Sequence, residues 1–131
     1  MNLYDLSFAK IIVLRDDIAE VIVNDRIEVN LEMVKQTHAF LLSHLKQPFS
    51  LLINKLNSYS YTFEAQMEIT NLPEINVLAV VSYNNFSTVS TQYLQSLTRS
   101  NKWNLHIFSQ RDEALAFLEK AQEKSLTQFD N

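Results

Sequence analysis

Short runs of branched aliphatic residues, each bounded by polar residues, open the chain. Residues 10–15 (KIIVLR) and 18–24 (IAEVIVN) are rich in β-branched side chains, a composition that favours strands. The Asp16-Asp17 dipeptide between them suits a tight hairpin turn. Glu20 stands among apolar neighbours in the second run, which predicts an edge strand or a half-solvated sheet face.

The spacing of apolar residues then changes to a helical period. Leu31, Val34, His38 and Leu41 recur at intervals of three and four, which predicts a helix over residues 31–46. Asn30 is a suitable N-cap because its side chain can accept a hydrogen bond from the first turn.

Two continuous apolar runs predict strands that are covered on both faces. One lies within residues 48–56 (PFSLLINKL) and the other is residues 77–81 (VLAVV). The alternating residues 103–108 (WNLHIF) predict a further strand near the edge of the sheet. Helical spacing follows these strands at residues 63–69, at residues 86–97 and after Ser109.

The resulting order, β-β-α-β-α-β-α-β-α, predicts an α/β fold with a five-stranded mixed sheet and about four helices. The N-terminal hairpin supplies the antiparallel strands, and alternation with helices makes the later strands parallel. We expect one domain over residues 1–124 and a polar, frayed tail over residues 125–131.

Composition narrows the function classes. The 131 residues include no cysteine, so disulfides, thiolate nucleophiles and cysteine metal sites are excluded. They also include no glycine, where about nine would be usual, so no glycine-rich phosphate loop or nucleophile elbow can form. The net charge of −4 argues against nucleic-acid binding. Without a readable signal peptide or an apolar run long enough to span a membrane, we expect a cytoplasmic protein.

Several of these segments together resemble the SpoIIAA-like, or STAS-type, α/β domain. The resemblance covers about residues 8–122. Its elements are the hairpin KIIVLRDDIAEVIVN, the helix NLEMVKQTHAFLLSHL, the strand FSLLINKLN and the closing WNLHIFSQRDEALAFLEKA. It implies a bacterial regulatory or protein-interaction module of that fold.

The family's anti-sigma-factor antagonists carry a phosphorylatable serine in an Asp-Ser-Ser-Gly segment, which aligns near residues 62–65 of this chain. Here that segment reads TFEA, so the serine pair and the glycine are absent. The chain is more similar to uncharacterised bacterial SpoIIAA-like proteins, some of which are grouped with lipid-binding CRAL-TRIO-type domains. That grouping implies an alternative function, the carriage of a small apolar ligand such as a lipid.

Ligands of open α/β sheets collect outside the carboxyl ends of the parallel strands. In this chain those ends lead into segments rich in tyrosine, asparagine and serine, which are adaptable recognition side chains. Lys55 and Gln110 lie in the same segments. The predicted binding residues are Asn57, Ser58, Tyr59, Ser60, Tyr61, Thr62, Tyr83, Asn84, Asn85 and Arg111. The same residues would also serve simply as turn formers that replace glycine.

Catalytic and metal-binding patterns are weak. His38 and His44 diverge around a helix, and His106 lies far away, so neither a metal site nor a Ser-His-Asp arrangement is indicated. We therefore predict no catalytic residues, no metal and no cofactor. Met33 and Phe40 lie off the main apolar stripe of their helix, which favours either self-association or packing at the rim of the core.

Overall fold

The computed structural model describes residues 2–97 and 105–130. Within them, two hydrophobic clusters lie on opposite faces of one large mixed sheet. The spatial order of this sheet is β1-β2-β3-β5-β7-β8. Its strands are β1 (Asn2–Leu6), β2 (Ala9–Arg15), β3 (Ile18–Val23), β5 (Phe49–Asn54), β7 (Ile75–Val81) and β8 (Leu105–Phe108).

The described sheet has six strands rather than the predicted five. The additional strand is β1, which pairs antiparallel with β2 across the Ser7-Phe8 turn. β1, β2 and β3 form an antiparallel meander, and β3, β5, β7 and β8 are parallel, as the alternation with helices predicted. Trp103, the predicted start of the last strand, lies outside the described residues.

β3 is a central strand, so the prediction that Glu20 marks an edge or a half-solvated face was wrong. β2 and β5 flank β3, and Glu20 is only 2% exposed. The prediction failed because β5 pairs with the side of β3 that β2 leaves open, and because a distant arginine neutralises the carboxylate, as described below.

The described residues form four helices. α4 covers one face, where its Ala114 and Leu118 are fully buried against β5 and β7. α1, α2 and α3 belong to the opposite face, where the larger hydrophobic cluster lies. The helices are α1 (Leu31–His44), α2 (Phe63–Glu68), α3 (Asn85–Leu97) and α4 (Arg111–Asp130).

Helix boundaries follow the caps predicted from the sequence. Asn30 accepts a hydrogen bond from the Met33 backbone N–H at 2.9 Å and begins α1. The half-buried Met33 and Phe40 pack against the core, which agrees with the rim-packing interpretation of these side chains. α4 continues to Asp130 and so includes most of the segment that the sequence assigned to a polar tail.

A second, two-stranded parallel sheet joins β4 (Glu28–Val29) to β6 (Ser60–Tyr61). Backbone N–H groups of Arg26, Ser60 and Thr62 donate to carbonyls of the opposite segment at 2.7 to 3.0 Å. This ladder holds the loop that follows β5 against the segment that precedes α1. It thereby positions the tyrosines of that loop.

Candidate functional site

An apolar cavity lies between the main sheet and the three helices on its larger-cluster face. It encloses about 810 Å³ that no protein atom fills, its solvent-open mouth included. Alternate residues of the strands point into it because side chains of a strand alternate between the two faces. The sheet side includes Val21, Leu51, Ile53, Leu78 and Val80. The helix side includes Leu41, Ile69 and Thr91.

Three polar side chains, those of Thr37, His38 and Thr70, line the cavity beside α1 and the turn after α2. His38 donates through Nε2 to the Ile69 carbonyl oxygen at 3.0 Å, which fixes the imidazole in place. Thr70 is buried, and its Oγ1 makes no hydrogen bond among the described residues. A buried hydroxyl without a partner is costly, so Thr70 offers a hydrogen-bonding group to a molecule in the cavity.

Lys55 follows the carboxyl end of β5 and lines the same cavity. Lys55 as a whole is 7% exposed, and Lys55 Nζ makes no ion pair or hydrogen bond with the described residues. The ammonium lies 5.5 Å from the ring centroid of Tyr59 and 6.0 Å from that of Tyr61, within the range of a cation–π interaction. Burial lowers the pKa of Lys55 to about 8.

Tyr59 and Tyr61 form an aromatic pair beside this lysine. Their ring centroids are 5.6 Å apart in an edge-to-face arrangement, and the Tyr61 hydroxyl donates to the Tyr59 hydroxyl at 3.4 Å. Burial raises the pKa of both phenols, so both stay neutral at physiological pH. The pair presents aromatic faces and polar hydroxyls to the lysine but no negative charge.

A second, more polar cleft shares these three side chains with the cavity. It encloses about 680 Å³, its open side included. Lys55, Tyr59 and Tyr61 therefore contribute to the lining of both spaces. The remaining residues of the cleft come from the loop after β5, from α2 and from the first turns of α3: Asn57, Ser58, Ser60, Gln66, Phe86, Ser87, Ser90 and Tyr93.

The loop residues predicted from the sequence lie together at this cleft. Residues 57–61 all line it, whereas Thr62 serves as the N-cap of α2 and accepts from the Ala65 N–H at 3.2 Å. Asn57 is also engaged within the fold, because its Nδ2 donates to the Val23 carbonyl at 2.9 Å. The Ser58 N–H donates to the Asp25 carboxylate at 3.0 Å. That these residues bind a partner stays a prediction.

Tyr83 and Arg111 lie in a polar network that extends from the other face of the sheet. Arg111 donates to the Glu20 carboxylate at 2.7 Å, and Asn54 Nδ2 donates to the same carboxylate at 2.8 Å. The Tyr83 hydroxyl donates to Asn54 Oδ1 at 2.8 Å. Burial alone would raise the pKa of Glu20, but the hydrogen bonds and the charge of Arg111 outweigh it and hold that pKa below its ordinary value.

The two asparagines that follow Tyr83 start α3. Asn84 Oδ1 accepts from the Ser87 N–H at 2.8 Å, and Asn85 is the exposed first residue of the helix. Neither asparagine is among the residues that line the cleft. The predicted binding residues thus divide between the cleft and the sheet-end network.

Sequence reasoning placed Lys55 among the candidate polar residues but did not find its burial. It also missed the cavity and the contributions of Gln66, Phe86, Ser87, Ser90 and Tyr93 to the cleft. Phe86 begins the helical spacing that predicted α3, yet Phe86 is 73% exposed. The sequence does not distinguish an exposed aromatic residue in such a pattern from a buried one, because the difference depends on how α3 packs.

The part of the chain that the structure describes contains no group of three or more histidine or acidic side chains arranged to hold a metal ion. Among the described helices, none combines the length and apolar character needed to cross a membrane.

Comparison with known proteins gives one informative structural relative. No family model matches the sequence, and no curated protein matches it significantly. The chain is similar to the crystal structure of an uncharacterised DUF3478-family protein with a SpoIIAA-like fold from Shewanella loihica PV-4. The TM-score is 0.56 at 14% sequence identity, with 84% of this chain and 91% of that chain covered. The chain therefore has a SpoIIAA-like α/β fold.

Proposed function

We propose that this protein binds and carries a small apolar molecule in the cavity between the main sheet and α1, α2 and α3. The single observation that supports this function is the cavity itself, which is lined mainly by apolar side chains. Ligand pockets typically combine such apolar walls with a few polar groups that orient the ligand. The proposed function includes no catalytic step.

The cavity differs from an ordinary packing defect in size and in chemistry. Protein interiors are close-packed and contain few voids larger than a water molecule. Here His38, Lys55 and Thr70 add polar groups at separate points of an apolar lining. The unpaired Thr70 hydroxyl would gain a hydrogen bond from a ligand with a polar group, which supports binding over empty space.

A neutral probe tests this function because its binding does not depend on an ion pair with the protein. Purified protein is titrated with dodecanol by isothermal titration calorimetry, and the complex is weighed by native mass spectrometry. Val80→Phe and Ile53→Phe place a larger side chain in the cavity, so each is expected to weaken dodecanol binding about tenfold or more. Val89→Phe, on the exposed surface of α3, is the matched control and should bind as the wild type does.

Two outcomes would count against the carrier function. One is the absence of any dodecanol complex with folded wild-type protein. The other is equal binding by the wild type and by both cavity variants, which would locate the probe on the surface. Circular dichroism of each variant verifies that the larger side chain leaves the fold intact, since overpacking typically costs about 1–3 kcal/mol.

Protein interaction is the second candidate function, and a different observation favours it. α2 and α3 expose five large, uncharged side chains to solvent: Phe63, Met67, Phe86, Val89 and Tyr93. Exposed apolar patches frequently mark interaction sites. Sedimentation of the wild type and of a Phe86→Ser, Val89→Ser variant tests self-association at this surface. A wild-type dimer that becomes monomeric in the variant would support it, and a wild-type monomer would leave only a heterologous partner.

A further inference from the structure

Lys55 is the one lysine, arginine, aspartate or glutamate among the described residues that line the cavity or the cleft. The other titratable groups there are His38, Tyr59, Tyr61 and Tyr93. Neutral phenols and an imidazole supply no negative charge at neutral pH. The ammonium of Lys55 therefore has aromatic neighbours but no counter-charge among the described residues.

An ammonium on a largely buried side chain without a counter-charge is energetically unfavourable, and a cation–π interaction offsets only part of its lost hydration. Lys55 lies in the wall between the apolar cavity and the polar cleft and lines both spaces. A negatively charged group at this position would supply the missing ion pair. The hydroxyls of Ser58, Ser60 and Ser90 line the cleft nearby and offer further hydrogen bonds.

The lining of the cavity indicates what such a charged group would be attached to. Along the strands it extends from Ile75, which pairs with Phe49 at the start of β5, to Lys55, which follows the end of β5, a length of about 20 Å at the rise of a β-strand. Across the strands it extends from Ala9 of β2 to Leu105 of β8, four strand spacings or about 19 Å. Because most of this lining is apolar, the body attached to the charged group is apolar as well.

We propose that the ligand is an amphipathic anion whose carboxylate pairs with Lys55 where the cavity meets the cleft and whose apolar body lies against β5 and β7. The inference rests on the proposed carrier function and names the chemical class of its ligand. Lys55 then selects the ligand by the charge of its head, and the cavity selects it by the apolar character of its body.

Laurate and dodecanol have the same chain length and differ in the charge of the head. Binding of dodecanol therefore tests the carrier function, and a preference for laurate tests the anionic head. At pH 7, wild-type protein is expected to bind laurate about tenfold to a hundredfold more tightly than dodecanol, the gain expected of a charge-assisted hydrogen bond. Lys55→Met should abolish that preference and retain dodecanol binding. Lys55→Arg should retain the preference for laurate, and Lys35→Met, which removes an exposed lysine of α1, should behave as the wild type.

Each outcome of this experiment has a distinct meaning. If wild-type protein binds both probes equally, the assignment of an anionic ligand is overturned and the carrier function stands. If it binds neither probe, the carrier function itself fails. A preference for laurate that survives in folded Lys55→Met would place the head away from Lys55 and would also overturn the inference.

Discussion

Replacing Lys55 by methionine is expected to stabilise the ligand-free protein. Methionine fills similar space in the cavity wall and carries no charge, so the substitution removes a buried ammonium that no described carboxylate compensates. A pKa lowered from 10.5 to about 8 corresponds to about 3 kcal/mol of unfavourable charging in the folded state. The variant also loses the cation–π contacts with Tyr59 and Tyr61, which lowers its stability by about 1 kcal/mol. The free energy of unfolding should therefore increase by about 2 kcal/mol in total.

The pH dependence gives this prediction a second, independent measurement. Below pH 8, Lys55 is protonated in both the folded and the unfolded state, so its full cost is present. Above pH 8, the folded protein releases this proton while the unfolded chain retains it until about pH 10.4, so stability rises with pH. Between pH 7 and about 9.5, the wild type should therefore gain about 2 kcal/mol relative to Lys55→Met.

Urea unfolding followed by circular dichroism measures both effects. The wild type, Lys55→Met and the exposed control Lys35→Met are compared at pH 7 and at about pH 9.5, below the ordinary pKa of tyrosine near 10. Lys35→Met should match the wild type at both values. The reasoning would be refuted if Lys55→Met were no more stable than the wild type at pH 7 and if their difference did not change with pH.

The polar network and the cap of α2 give three further predictions, each measured as a change in the free energy of unfolding. Arg111→Met leaves the buried Glu20 carboxylate without its cation and should cost about 3 kcal/mol at pH 7. This cost should shrink as the pH falls, because burial raises the pKa of a Glu20 carboxyl that has lost Arg111, so the variant takes up the proton first. Tyr83→Phe removes the hydrogen bond to Asn54 and should cost about 1 kcal/mol, with laurate affinity unchanged. Thr62→Ala removes the N-cap of α2 and should also cost about 1 kcal/mol.

Two further variants serve as controls for the effect of Arg111→Met on stability. Arg26→Met removes an arginine whose side chain is 92% exposed, and it should change stability by less than about 0.5 kcal/mol. The Glu20→Gln, Arg111→Met double variant should be more stable than Arg111→Met alone, because it removes the unpaired buried charge. Equal stabilities of these two variants at every pH would show that the ion pair with Glu20 is not the source of the effect.

The long elements of the fold were predictable because each has a strong local pattern. The apolar runs of β5 and β7 and the three-four spacing of α1 identify buried strands and a helix directly. β1 was missed because residues 2–6 (NLYDL) form an exposed edge strand with little apolar alternation, joined to β2 through a Ser7-Phe8 turn that lacks the usual turn residues. The short β4 and β6 depend on pairing with each other, and two residues give no readable period.

The candidate site was predictable in its place along the chain but not in its chemistry. The rule that ligands collect beyond the carboxyl ends of parallel strands led to residues 55–62, and the cleft lies there. Tyr59 and Tyr61 cover Lys55, and the β4–β6 ladder that holds them there joins segments that are distant in sequence. Glu20 was misread for the same reason, because its partner Arg111 lies 91 residues further along the chain.

A crystal structure of the protein with bound laurate would show in one measurement whether the cavity holds the chain and Lys55 holds the head. We expect the acyl chain between the main sheet and α1, along Leu51 and Val80, with the laurate carboxylate within hydrogen-bond distance of Lys55 Nζ. A structure in which the cavity residues close on one another, and laurate is absent or bound only on the outer surface of α2 and α3, would contradict it.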